Sequence, residues 1–134
     1  MRANCRRHSS RHRGRDEGSA VVDFVAVSAL VTLVFLGVVQ LALVLHVRNT
    51  LVDCASEGAR YGGLADRTPA DGAARTRQLI ALSLSSRYAD DVSAMTRTVD
   101  GVTVVEVQVE SPLPVVGLFG PARGISVTGH GVQE

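Results

Sequence analysis

Between Phe24 and Leu45 the chain runs for 22 residues without a charged side chain, and only Ser28, Thr32 and Gln40 are clearly polar. As a helix rising about 1.5 Å per residue, this run reaches about 33 Å, the thickness of a bilayer's hydrocarbon core. Its many valines would suit a buried strand in water. Strands of that length are rare, however, and lipid offers a strand no partner for its backbone groups. The run predicts a single transmembrane helix, which we bound at residues 19–47. A chain of 134 residues then has room for one small folded unit beyond the membrane, at residues 48–134.

Charge sets the expected direction of the crossing. Residues 1–18 carry six arginines against Asp16 and Glu17, whereas residues 48–134 carry eight arginines against ten acids. Excess positive charge beside an apolar span is retained on the cytoplasmic side. Residues 1–18 are therefore read as a basic cytoplasmic leader, and residues 48–134 as exported. An arginine cluster can also bind nucleic-acid phosphates, but beside a membrane span it reads as a topology signal, and no nucleic-acid partner is expected. A cleaved secretory signal fits poorly, because its apolar region is shorter and ends in a small-residue cleavage site. The two cysteines, Cys5 and Cys54, fall on opposite sides of the span and cannot pair within one chain. On an oxidising side Cys54 could bridge to another chain; the simpler reading is a small apolar residue on a helix face.

Asp23 does not suit a plain anchor. It sits just inside the apolar stretch, where a carboxylate costs free energy that falls toward the bilayer boundary, and from there it could also reach the headgroups. Gly18-Ser19-Ala20-Val21-Val22 precedes it and Phe24 follows. Cleavage after Gly18 would make Asp23 the fifth residue of the mature chain and leave a free amine at Ser19. One subunit's carboxylate could then neutralise a neighbour's amine. Because desolvation offsets much of the attraction, such a buried pair mainly fixes register.

This opening resembles that of type IV pilin-like proteins, and more narrowly the TadE-like proteins of tight-adherence (Flp) pilus systems. Two further stretches carry the resemblance. Val47-Arg48-Asn49-Thr50-Leu51 is followed by the small-residue segment Ala55-Ser56-Glu57-Gly58-Ala59-Arg60-Tyr61-Gly62, and a strand-rich end contains a proline–glycine linker from Pro112 to Gly124. The family pattern usually carries Glu where this chain has Asp23, one methylene shorter. The resemblance implies processing at Gly18 and Ser19 by a prepilin peptidase and assembly through Asp23 and Phe24. It also implies other pilin-like subunits and a membrane platform as partners. Ala55, Gly58, Ala59 and Gly62 form a small-residue helix face that permits close approach of another element.

Beyond the membrane the helix is expected to continue, with Val47, Leu51, Cys54, Ala55, Gly58, Ala59 and Tyr61 at helical spacing and a stop near Gly62-Gly63. A second helix should start at Thr68, with Pro69 in its first turn and Asp71 completing a capping box. It should run to about Arg87, with Leu79, Leu82 and Ser86 near one face and Ile80 and Leu84 flanking. Ser93–Val99 and Val102–Glu110 flank Asp100-Gly101, a type I′ hairpin signal, and Ile125–Val132 reads as a third strand. The expected fold is α+β: a single N-terminal transmembrane helix continuing into an extracytoplasmic helix, a second helix, and a small antiparallel three-stranded sheet.

Catalytic signals are missing from the sequence. His8 and His12 are an isolated i,i+4 pair in the leader, His46 stands at the membrane exit, and His130 stands alone between glycines. Asp90-Asp91 is explained by a helix end. No phosphate loop, nucleophile elbow or zinc-protease motif occurs, so neither an enzyme nor a cofactor is expected. The leading expectation is a minor pilin-like (pseudopilin) component or assembly factor of a tight-adherence pilus or related secretion machine, working in cell adhesion. The alternative is a signal-anchored extracytoplasmic binding domain unrelated to pili.

Overall fold

The computed structural model describes residues 13–112 and 124–134, with side chains described from Gly18 onward. Cys5, His8, His12 and most of the Pro112–Gly124 linker lie outside the described residues. The element order is a long helix α1 (Arg13–Gly62), a helix α2 (Pro69–Ser83), a 3-10 turn (Ser86–Tyr88), and strands β1 (Asp91–Val99), β2 (Val102–Ser111) and β3 (Ile125–Val132). The architecture is α+β, as the hydropathy and turn signals predict. By internal contacts the chain divides into a unit ending at Val39 and a second unit, Gln40–Glu134.

Among the described residues of the first unit, α1 has no partner element. Its apolar side chains are exposed, Phe24 at 72% and Leu33 at 67%, and the stretch Gly18–Gly62 is long and apolar enough to cross a membrane. The hydroxyl of Thr32 donates to the Ser28 carbonyl at 2.8 Å, so this polar group is satisfied within the helix, as an apolar surrounding requires.

In the second unit, the last turns of α1, together with α2, cover one face of the sheet. The sheet is an antiparallel meander in the order β1-β2-β3. Val99 pairs with Val102 across the Asp100-Gly101 turn, whose φ values of 51° and 81° are the two positive dihedrals that a type I′ turn needs. Alternation does the rest. Val105, Val107 and Val109 of β2 are fully buried beside Ile125 and Val127 of β3 and Val92 of β1. Leu51 of α1 and Ile80 of α2 complete this core with no exposed surface, each such side chain contributing about 1.5–3 kcal/mol by burial. The chain end is tied down as well. The Gln133 N–H donates to Thr103 O at 3.0 Å, and the Glu134 N–H to Gly63 O at 2.9 Å.

α2 departs from expectation in two respects. Its capping box forms as predicted: the Asp71 N–H donates to the Thr68 hydroxyl at 3.2 Å, and the Thr68 N–H donates to the Asp71 carboxylate at 2.9 Å. The helix stops at Ser83, however, not near Arg87. Ser85 is extended, and the short turn after it brings Tyr88 into the core at 5% exposure. Serines at 83, 85 and 86 favour such a break, because their hydroxyls compete for backbone groups. The buried face also differs. Gly72, Ala73, Thr76 and Ile80 point inward, whereas Leu82 is 76% exposed. The reason lies in α1, whose opposing surface is made of small residues and accepts only an equally small ridge.

Candidate functional site

The residues singled out from the sequence fall into two separate sets. Gly18, Ser19, Asp23 and Phe24 lie at the start of the apolar helix, and all four are exposed. α1 already begins at Arg13, so the Gly18–Ser19 bond lies within helical backbone, and a peptidase acting there has to unwind a turn. A methyl group at Gly18 or at Gly37 would touch nothing. Asp23 is an i,i+4 neighbour of Ser19 and has no hydrogen-bond or ion-pair partner among the described residues. Beside it, Phe24, Val25, Ser28, Ala29, Thr32 and Leu33 line a shallow, almost wholly apolar groove along the helix flank. Together they present an apolar rod with one carboxylate near its beginning.

The second set behaves differently. Ala55, Gly58, Ala59 and Gly62 are all buried, and the element that approaches them belongs to the same chain. A methyl group on Gly58 would collide with the Thr76 hydroxyl and come within 2.7 Å of Gly72 O. A methyl on Gly62 would stand 3.2 Å from the Gly72 Cα, a tight fit without that collision. On the other side of the ridge, β3 lies so close that a methyl on Gly129 would overlap the Ala55 carbonyl, and one on Gly131 the Ala59 carbonyl. The Thr76 hydroxyl donates to Gly72 O at 3.0 Å, with Cys54 O at 3.4 Å, so the polar group buried in this crossing is satisfied. The small-residue face therefore closes the second unit's own core.

β3 supplied a signal that sequence reasoning left unused. Gly129-His130-Gly131 places a glycine on every inward position of the strand's second half, and glycine in a strand interior marks close backbone approach. Cys54 is free and 6% exposed. Burial pushes its thiol above the ordinary value, an effect the Ser83 hydrogen bond opposes and the Asp53 charge reinforces.

Charged side chains elsewhere make solvated arrangements. Glu106, central on the sheet's outer face, forms an ion pair with Arg97 at 3.2 Å and lies 3.8 Å from His130. Tyr61 carries the guanidinium of Arg67 over its ring at 4.9 Å and that of Arg75 at 6.0 Å. Among the described residues, no three metal-ligating side chains come together.

Compared with known proteins, residues 18–60 match the family model described as TadE-like protein. That stretch contains both sets of residues, the exposed start of the apolar helix and the buried small-residue ridge. No curated protein and no solved structure matches the chain.

Proposed function

We propose that this chain, TadE-like over residues 18–60, is a single-pass membrane protein of a tight-adherence pilus, acting as a minor pilin-like component or assembly factor. One observation carries the reading. Within the matched stretch, the apolar helix stays uncovered from Val21 to Val39 while an unpartnered carboxylate, Asp23, sits at its start. An apolar surface of this size needs lipid or other helices around it. A carboxylate within it needs a cation or the headgroup region.

In this reading the arginine-rich leader stays in the cytoplasm and the unit Gln40–Glu134 is exported. A prepilin peptidase cleaves after Gly18. The new amine at Ser19 is neutralised by Asp23 of a neighbouring pilin-like subunit, and that pair fixes the register between their helices. Phe24 and the apolar groove behind it provide the packing surface, and the assembly platform engages the same helix. The role is structural, not catalytic.

Deleting the chain from its host should abolish tight-adherence pili. Wild type should restore them, and Asp23→Ala should not. Pili that assemble without the chain would overturn the reading. N-terminal sequencing of the protein from membranes bears on processing: a start at Ser19 supports cleavage, and an intact Met1 leaves an uncleaved assembly factor. The exported unit closes its own core and residues 61–134 lie outside the matched stretch, which favours the second reading of an anchored binding domain. In that case the deletion would leave pili untouched.

A further inference from the structure

The register of β3 divides its residues between two sides. The Gln133 N–H donates to Thr103 O, and the pairing runs back from there without a bulge to Ser111 and Ile125. Alternate residues of an antiparallel strand turn their N–H and C=O to the same neighbour, so Ile125, Val127, Gly129 and Gly131 bond to β2. Ser126, Thr128 and His130 turn theirs the other way, where no described residue meets them. Farther along, the chain closes this edge itself. The Glu134 N–H donates to Gly63 O at 2.9 Å, and Gly63 stands so close to Val132 O that a side chain there would overlap it. The edge of β1 is guarded as well, since the Arg77 guanidinium donates to Val92 O. Strand edges are commonly protected by lysine, proline or a bulge; Ile125–Val132 has none of these.

What can add to the open stretch is limited by α1. Gly129 and Gly131 lie directly under the helix backbone at Ala55 and Ala59. A helix about 10–12 Å across, seated on β3, overhangs the place about 4.8 Å away where a next strand would lie. A second copy of the chain does not fit there, because its own edge strands carry helices, α1 on β3 and α2 on β1. A bare extended segment does fit, with small residues on the side under α1, as β3 itself has. Where the open stretch meets Gly63, Arg60, Leu64, His130, Val132 and Glu134 line a cleft of about 400 Å³. Arg60 is exposed and has no hydrogen bond or ion pair among the described residues, Glu134 included.

We propose that the open edge of β3 receives an extended segment of another protein, which adds as a fourth strand beside Ser126, Thr128 and His130 and presents a carboxylate to Arg60. Main-chain bonds of this kind supply affinity, and the cleft supplies selectivity. The site uses neither the apolar rod nor Asp23.

A phage-displayed library of random octapeptides, selected on the detergent-solubilised full chain, tests this. The proposal expects binders that carry aspartate or glutamate. Their affinity, read by fluorescence polarisation, should fall about tenfold or more for Thr128→Pro and for Arg60→Gln. Proline at 128 costs the fold no ladder bond, because that N–H faces the open edge, and the Tm of each variant checks the fold. Should Thr128→Pro not fold, N-methylation of alternate amides in a selected peptide decides instead. One alternate set should abolish binding to wild type and the other should leave it. Peptides that bind both variants as tightly as wild type, tolerance of both methylated sets, or a library yielding no binder that depends on Thr128 would each overturn the proposal. So would a dimer of the chain that Thr128→Pro dissolves, since a second copy would then hold the edge.

Discussion

A methyl group added at Gly129 would overlap the carbonyl of Ala55, a backbone atom held in place by the helix around it. No rotamer change relieves such a clash, so helix and strand have to separate. Gly129→Ala should therefore lower the stability of the second unit by about 2–3 kcal/mol, the upper range for overpacking, read as a drop in Tm of the detergent-solubilised chain. Gly37→Ala is the control, since nothing surrounds that position; there the greater helix propensity of alanine should give no loss at all. Equal Tm values for the two variants would contradict the close packing. Cys54 tests burial at the opposite side of the ridge. Its thiol is shielded and pushed above the ordinary value, so maleimide at neutral pH should label it far more slowly in the folded chain than in denaturant. Equal rates in a Cys5→Ser background would show that the α1–α2 crossing opens freely.

At the scale of elements, α2 depends on a start signal that pH can remove. Bonds from the Thr68 backbone N–H, then from its hydroxyl, hold the Asp71 carboxyl below its usual range. A depressed folded-state value means that this contribution is complete above the unfolded carboxyl's value and is lost as the pH falls through the folded one. The Tm difference between wild type and Asp71→Asn should accordingly be present at neutral pH and shrink below about pH 4. A difference that persists unchanged into acid would mean that the carboxylate is not the capping group. Thr68→Ala should cost about 1 kcal/mol at neutral pH. The capping box, the Asp100-Gly101 turn and the alternating valines of β2 were all legible in the sequence, because each depends on neighbours close in the chain. The end of α2 and its buried face were not. The buried face is decided by Gly58 and Gly62, which lie ten or more residues upstream and select Gly72 and Thr76 over Leu82 as the facing ridge, and the end at Ser83 goes with the turn that carries Tyr88 into the core. The glycines of β3 were visible, but their meaning required knowing which helix they would meet.

For the molecule as a whole, the two units answer the same physical demand in opposite ways. The described residues of the second unit bury a core of apolar and small side chains against one another, down to zero exposure at Leu51, Ala55, Ala59, Ile80 and Val107. Among the described residues, the helix up to Val39 has no buried side chain. Residues 18–60, which match the TadE-like family model, contain both parts. The structure separates them into an internal ridge at Ala55–Gly62 and an uncovered rod that begins beside Asp23. Under the proposed function, assembly with other subunits would depend on the rod, and within it on a single carboxylate, Asp23. The most direct measurement is co-purification of pilin-like subunits with the tagged full-length chain from host membranes, comparing wild type with Asp23→Ala and Asp23→Glu. The account predicts recovery with wild type, recovery with glutamate, and loss with alanine at equal membrane levels of the three proteins. Undiminished recovery with alanine would contradict it.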